Sequence, residues 1–191
     1  IGQQVLMSKM WIPVELLASL GQITSGGTSP DTLAKMNAQI TELVTLKLRL
    51  EQGDPTLTVQ EKARVTTLVP YNLDAWDGYG VERETILQSA LALGKKLISL
   101  AGDTHNAWAG VLDTFTAAPS GNKPAGTVVG VEFATQGVTS PGLEKYLPGA
   151  DAYIRAKYPA VDGLDGIFTG YVNGLKYADL NRRGYLDLTV S

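Results

Sequence analysis

The sequence predicts a mixed α/β protein, and three stretches carry that prediction. Apolar residues recur at helical spacing between Leu33 and Leu50. A nearly continuous apolar run, LISLA at 97–101, is typical of a strand covered on both faces inside an α/β sheet. The stretch TVVGVEFAT at 127–135 is rich in β-branched residues and predicts another strand.

The helix over 33–50 has start and stop signals that agree with its periodicity. Ser29 followed by Pro30 predicts an N-cap with proline in the first turn. Gly53, with Pro55 just beyond, predicts where the helix stops.

A domain boundary is predicted near residue 55. The connection QITSGGTSPD ahead of the first helix is flexible in composition. We therefore expect residues 1–55 to form a helical arm or insert that is joined loosely to the remainder, 56–191. The opening stretch IGQQVLMSKM lacks an initiator methionine and enters in the middle of an element, as we expect of a processed protein or a piece of a longer one.

A second helix is predicted between the aromatic loop at 71–79 and LISLA. Glu82 and Glu84 lie in its first turn, and Gly94 followed by two lysines ends it, so that the charges complement the helix dipole.

Two further predictions concern the C-terminal third. GLEKYLPGADAYIRAKYP at 142–159 predicts short helices interrupted by Pro148 and Gly149. The alternating stretch RRGYLDLTV at 182–190 predicts a final strand with one covered face.

Composition excludes several classes of function. With 44% apolar and 18% charged residues, the 191-residue chain has the composition of a globular protein rather than of a disordered one. A net charge of −3 and the absence of a basic stripe argue against nucleic-acid binding. No cysteine is present, so disulfides and thiolate metal sites are excluded, and no apolar run approaches the roughly 20 residues of a membrane span.

The residues after LISLA are candidate metal ligands. Ligands of open α/β sheets bind beyond the carboxyl ends of strands, and Asp103 and the chain's single histidine, His105, occupy that position. A carboxylate and an imidazole two residues apart both suit a divalent or trivalent cation, and Asn106 adds a possible oxygen ligand. The alternative is a turn in which these side chains cap backbone amides, and spacing alone leaves both open.

The stretch LAGDTHNAW resembles the Gly-Asp-x-His-x-x-Trp box of the PhoD-like alkaline phosphatases, a branch of the metallophosphoesterases. Four further stretches resemble segments of the same family in the same order: IGQQVLMSKM, NLDAWDGYGVERETIL, VEFATQGVTSPG and YADLNRRGYLDLTV. Five ordered matches across essentially the whole chain are specific, although each alone is modest.

This resemblance implies the C-terminal half of a phosphatase domain with an α/β/β/α architecture, two sheets flanked by helices. It implies hydrolysis of phosphate monoesters or diesters at a multinuclear metal centre, with calcium and iron the associated metals. Asp103 and His105 match motif positions and carry over as candidate ligands, while Trp108 packs the turn and Asn106 is either a ligand or a cap. A periplasmic or secreted location is also implied.

The chain departs from the family pattern in two ways. Val172-Asn173-Gly174 stands where such enzymes often carry Asn-Pro-His, and nothing here resembles the first half of the family, which contributes further ligands. We therefore expect the remaining ligands to come from the N-terminal half of the same protein. The isolated chain is expected to be inactive and to hide an exposed apolar face by forming a homo-oligomer. The alternative is a non-catalytic binding or interaction domain that retains the fold.

Substrate-binding candidates lie in and after the aromatic loop. Trp76, Asp77 and Tyr79 wall a substrate cleft or form a packed surface loop. Arg83 binds phosphate with its guanidinium fork or pairs with a neighbouring glutamate. Arg182 and its neighbour face the same choice between a phosphate clamp and surface salt bridges.

Overall fold

A computed structural model describes residues 1–26, 29–115, 126–146 and 150–189. The strands are β1 (Trp11–Pro13), β2 (Leu68–Pro70), β3 (Leu97–Ala101), β4 (Ala107–Asp113), β5 (Val128–Ala134) and β6 (Leu175–Asp179). The helices are α1 (Val14–Gly26), α2 (Pro30–Glu51), α3 (Val59–Thr66), α4 (Gly80–Ala92), α5 (Leu143–Tyr146), α6 (Ala150–Lys157) and α7 (Gly163–Tyr171), with one 3₁₀ turn at Trp76–Gly78. Among the described residues, no helix is long and apolar enough to cross a bilayer.

The main sheet has four strands in the order β3-β5-β4-β6. β3 and β5 are parallel, and β4 is antiparallel to both of its neighbours. A second, two-stranded antiparallel sheet pairs β1 with β2. The mixed α/β class is therefore confirmed, with helices accompanying two sheets.

Several predicted elements are confirmed at their predicted places. α2 begins after Ser29, whose hydroxyl accepts a hydrogen bond from the Thr32 amide, and it ends before Gly53, which has a φ of +71°. α4 lies ahead of β3, and β3 coincides with LISLA. Two of the predicted short helices are present as α5 and α6, while Pro148 and Gly149 lie outside the described residues.

The predicted final strand is wrong over its described part, 182–189, which forms no strand. Its alternating pattern needs a paired neighbour and a covered face, and β6 at the sheet edge pairs only with β4 within the described residues. The apolar side chains of this segment stay exposed, with Tyr185 at 86%. Val190 lies outside the described residues.

One face of the main sheet is uncovered, so the prediction that LISLA is buried on both faces is wrong. Ile98, Val131 and Tyr177 are 44%, 38% and 47% exposed. The strand registers place them on one face with four partly buried apolar residues, Leu100, Ala109, Val111 and Phe133. We call these seven residues the open face.

The N-terminal segment is fixed to the sheet. Its first residues run parallel to β3, with hydrogen bonds from the Gln3 amide to the Leu100 carbonyl and from the Leu100 amide to the Ile1 carbonyl. Further along, Leu6, Met10 and Ile12 pack in the same apolar core as residues of β4 and α7.

That core joins residues on both sides of position 55. It contains apolar residues from α1, α2, the sheet and α7, among them Leu16, Ile40, Leu43, Trp108, Phe168 and Leu180. A helical arm and a boundary at residue 55 stay predictions, because a shared core does not itself mark where a domain begins.

Candidate functional site

The turn between β3 and β4 has an unusual backbone. Asp103 and His105 have φ values of +53° and +61°, and they are the non-glycine residues with positive φ in the described part of the chain. L-residues adopt this left-handed region at an energetic cost, and such residues concentrate at functional sites. The two residues with this backbone conformation are the same two that the sequence proposes as metal ligands.

His105 is held in one tautomer. Its Nδ1 lies 2.9 Å from the Pro141 carbonyl oxygen. Because a carbonyl only accepts, Nδ1 carries the hydrogen of the neutral ring and Nε2 keeps its lone pair. A histidine that donates one ring N–H to a carbonyl and offers the other nitrogen has the arrangement of a metal-ligating imidazole. The neighbouring ligand candidate, Asp103, is exposed and accepts a hydrogen bond from Gln4 Nε2 at 3.2 Å.

Asn106 is buried, with 2% of its surface exposed. Its Oδ1 accepts from the Leu143 amide at 3.3 Å, and its Nδ2 donates to the Leu180 carbonyl at 3.2 Å. Both polar atoms are therefore used to tie the turn to the start of α5 and to the end of β6. This geometry favours the capping interpretation of Asn106 over the metal-ligand interpretation.

The rest of the turn is packed from below. Trp108 is buried, donates a hydrogen bond from Nε1 to the Thr104 hydroxyl, and lies 5.3 Å from the Phe168 ring centroid. Gly142 lies so close to the turn that a Cβ there would come within 2.4 Å of Asn106 Nδ2. The turn is thus enclosed by packing on one side and by the loop after β5 on the other.

The two arginines near the C-terminus form ion pairs. Arg182 Nε lies 2.6 Å from Asp179 Oδ2, and Arg183 Nη2 lies 2.5 Å from Glu144 Oε1. Both arginines therefore form salt bridges, which is the alternative to a phosphate clamp. The second pair attaches the C-terminal segment to α5, beside the loop that orients His105.

The donor set at this turn suits a cation but is small. A carboxylate and a neutral imidazole are ligands that divalent and trivalent metals accept. Among the described residues, no three His, Cys, Asp or Glu side chains come together as a metal site. The assignment of Asp103 and His105 as metal ligands therefore stays a prediction.

Among the predicted substrate-binding residues, Asp77 forms hydrogen bonds with the segment around β1. Asp77 Oδ2 accepts from the Met10 amide at 2.8 Å and its Oδ1 accepts from Trp11 Nε1 at 3.1 Å. Burial raises the pKa of Asp77, against the effect of these hydrogen bonds. The carboxylate thus fastens β1 to the aromatic loop.

Arg83 pairs with neither neighbouring glutamate. It donates from Nε to the Met7 carbonyl at 2.6 Å and from Nη1 to the Asp113 carbonyl at 3.1 Å. Burial lowers the pKa of its guanidinium. Asp113 ends β4 and Ala107 begins it, and six steps along a strand span about 20 Å. Arg83 therefore lies near the opposite end of β4 from the Asp103–His105 turn.

Tyr79 is more than half exposed and lines a small cavity with Trp76, while Trp76, Asp77 and Arg83 share a larger cleft. Two groups were not identified from the sequence. One is the Pro141 carbonyl that contacts His105, since any residue type supplies a carbonyl. The other is Lys9, a single cation within the apolar stretch LMSKM, which lines the larger cleft. Only the three-dimensional fold brings them to their sites.

A comparison with protein-family models identifies one family. The family model described as PhoD-like phosphatase matches residues 1–191. Among solved structures, one described as the structure of PhoD is 22% identical, with a TM-score of 0.37; the match covers 61% of this chain and 18% of that chain. This chain thus spans less than a fifth of the length of that solved protein. A search of curated proteins finds no match. Because the family model covers the whole sequence, the chain belongs to the PhoD-like phosphatase family.

Proposed function

We propose that this chain is the C-terminal part of a metal-dependent phosphatase or phosphodiesterase, to whose metal centre Asp103 and His105 supply ligands. One observation carries the proposal: in a chain of this family, the Asp-x-His turn stands at the carboxyl end of a sheet strand in a strained backbone, with His105 Nε2 free of the Pro141 contact. Family membership makes phosphoester hydrolysis the expected activity.

Calcium and iron, the metals associated with the family, are the proposed cofactors. Bound metal ions supply positive charge that polarises the phosphoryl oxygens and neutralises charge developing on the leaving oxygen. Other residues of the chain position the two proposed ligands. The Pro141 carbonyl orients the His105 ring, and Asn106 holds the turn between α5 and the end of β6. Such supporting contacts determine how precisely a ligand is presented.

We propose that the missing ligands come from the N-terminal half of the same protein. Two donors do not complete a multinuclear centre, and the described residues offer no third at the turn. On this proposal the isolated chain binds metal weakly and has no phosphatase activity.

The open face also supports the proposal that an N-terminal half of the protein completes this domain. Seven apolar residues on one side of a sheet need a partner surface, since exposed contiguous apolar patches are rare on monomers. A second sheet from the N-terminal half, packed on this face, gives the proposed α/β/β/α sandwich. Export to the periplasm or outside the cell is proposed on the family resemblance alone.

The proposal is tested with the whole protein, which includes the N-terminal half. The substrates are p-nitrophenyl phosphate, a monoester, and bis(p-nitrophenyl) phosphate, a diester. We expect Asp103→Ala to lower turnover by about 100-fold or more without changing the circular dichroism spectrum. Asp74→Ala, which removes an exposed aspartate at the aromatic loop, is the matched control and should retain turnover. Unchanged turnover in Asp103→Ala would refute the assignment.

The second candidate is a non-catalytic binding or interaction domain. The segment Val172-Asn173-Gly174, which lacks the histidine often found there in the family, favours it. Absence of turnover by the whole protein with either substrate, in the presence of calcium and iron, would support this candidate instead.

A further inference from the structure

A cleft of about 930 Å³ lies beside α4. Its apolar lining includes Trp11, Trp76, Val81 and Phe115, and its charged lining includes Lys9 and Arg83. This volume falls within the range of small-molecule sites, which are mostly apolar with a few polar groups. The cleft is near the opposite end of β4 from the Asp103–His105 turn, so the proposed metal centre does not account for it.

Arg83 is a buried cation without a carboxylate contact. Only 3% of its surface is exposed, and its two bonded nitrogens donate to backbone carbonyls. Its Nη2 is buried and has no hydrogen-bond partner among the described residues. An unpaired buried guanidinium nitrogen is costly, so a group that accepts from it is strongly favoured.

The acidic groups of the cleft are already engaged. Both oxygens of Asp77 accept hydrogen bonds from β1 and its preceding residue. Glu84 accepts from the Phe115 amide at 2.7 Å and from Gln88 Nε2 at 2.6 Å. These carboxylates are therefore held in place by donors of the protein itself.

The second cation of the cleft is also paired. Lys9 Nζ lies 3.0 Å from Asp113 Oδ2 and 3.3 Å from the Thr114 carbonyl oxygen. Within the described residues this leaves Arg83 as the charged side chain of the cleft that lacks an oppositely charged contact. An anionic ligand would supply an acceptor for Arg83, and the aromatic walls favour an apolar body for that ligand.

We propose that this cleft binds a small anion with an aromatic or aliphatic body, whose carboxylate accepts hydrogen bonds from Arg83 while its body packs against Trp11, Trp76 and Phe115. Binding here is independent of phosphoester hydrolysis, because neither Asp103 nor His105 contributes to the cleft.

Tryptophan fluorescence of the full chain tests the proposal with 2-naphthoate as the probe. Two of the three tryptophans line the cleft, while Trp108 is buried beneath the turn at the other end of β4. We expect saturable quenching by 2-naphthoate and at least about tenfold weaker binding of 2-naphthamide, its neutral counterpart. Equal affinities for the two probes, or no saturable binding of naphthoate, would overturn the proposal.

Variants on the exposed side of α4 locate the probe without disturbing the buried network. Ser89 lines the cleft and is exposed, so Ser89→Phe should fill the cleft and weaken naphthoate binding about tenfold or more. Leu91→Phe on the same helix, outside the cleft, should leave binding unchanged. Unaltered binding in Ser89→Phe would place the probe elsewhere, including on the open face, and would refute the site.

Discussion

Glu132 is a buried carboxylate that joins the N-terminal segment to the sheet. It accepts hydrogen bonds from the amides of Met7 and Ser8 at 2.7–3.0 Å and from the Ser8 hydroxyl at 2.7 Å. The Ser99 hydroxyl and Gln3 Nε2 add two more, at 2.9 and 3.0 Å. A carboxyl group that accepts from this many donors holds them together, so this one residue stabilises a contact between distant parts of the chain.

Glu132→Gln should lower the free energy of unfolding by about 2–4 kcal/mol. The substitution removes the charge and turns one acceptor into an amide that faces donors. Urea denaturation measures the loss, and Glu82→Gln, at an exposed position of α4, serves as the control with little expected change. Equal stabilities of the two variants would contradict the anchoring role of Glu132.

The tautomer of His105 can be predicted from its hydrogen bond. Since the chain has a single histidine, its imidazole ¹⁵N signals need no assignment. In the neutral ring we expect Nδ1 to be protonated and Nε2 unprotonated, because Nδ1 donates to the Pro141 carbonyl. A spectrum dominated by the Nε2–H tautomer would show that the ring is not oriented for Nε2 to bind metal.

Sequence alone proposes Asp103 and His105 as metal ligands, but it does not reveal the contacts that hold them. Both residues belong to one short motif that follows a recognisable strand, so local information sufficed. The partners of Asn106 at Leu143 and Leu180 are 37 and 74 residues away, and no local pattern encodes them.

The junction between α2 and α3 is stabilised by Asp54. The Thr56 hydroxyl and amide, together with Arg49, lower the pKa of this carboxyl from 3.8 to about 2. Glu61 and Thr58 then form a reciprocal capping box at the start of α3. The connection is thus organised by side-chain hydrogen bonds on both of its sides.

This junction should depend on pH. Because the folded-state pKa of Asp54 lies below its ordinary value, its contribution to stability is present above about pH 4 and is lost as the pH falls towards 2. Carboxyl NMR titration should give a pKa near 2, and Thr56→Ala should raise it. Thr66→Ala, which removes a hydroxyl bonded within α3, should leave it unchanged; an unaltered pKa in Thr56→Ala would contradict the account.

Elements with strong local signals were predictable, and elements that depend on neighbours were not. α2, α4, β3 and β5 have caps, periodicity or β-branched runs. β4 has a glycine at position 110, where a Cβ would lie 3.2 Å from Ser8 Cβ. The glycine is explained by the close approach of the N-terminal segment, which the sequence around β4 does not reveal. The wrong final strand has the alternation of a strand but lacks a paired neighbour within the described residues.

The open face of the main sheet should drive association of the isolated chain. Its apolar residues are exposed or half-buried across all four strands. Sedimentation velocity should show association that grows with protein concentration, and Val131→Lys should weaken it, whereas Val59→Lys, at an exposed helix position, should not. A monodisperse monomer at all concentrations would contradict the proposed exposure.

We propose that the Asp103–His105 turn supplies two ligands to the metal centre of a phosphatase. Elemental analysis of the purified whole protein tests it most directly, with Asp103→Ala combined with His105→Gln compared against Asp74→Ala. We expect the double variant to lose at least about one equivalent of bound metal per chain, while the control retains the wild-type content. Wild-type metal content in the folded double variant would contradict the claim.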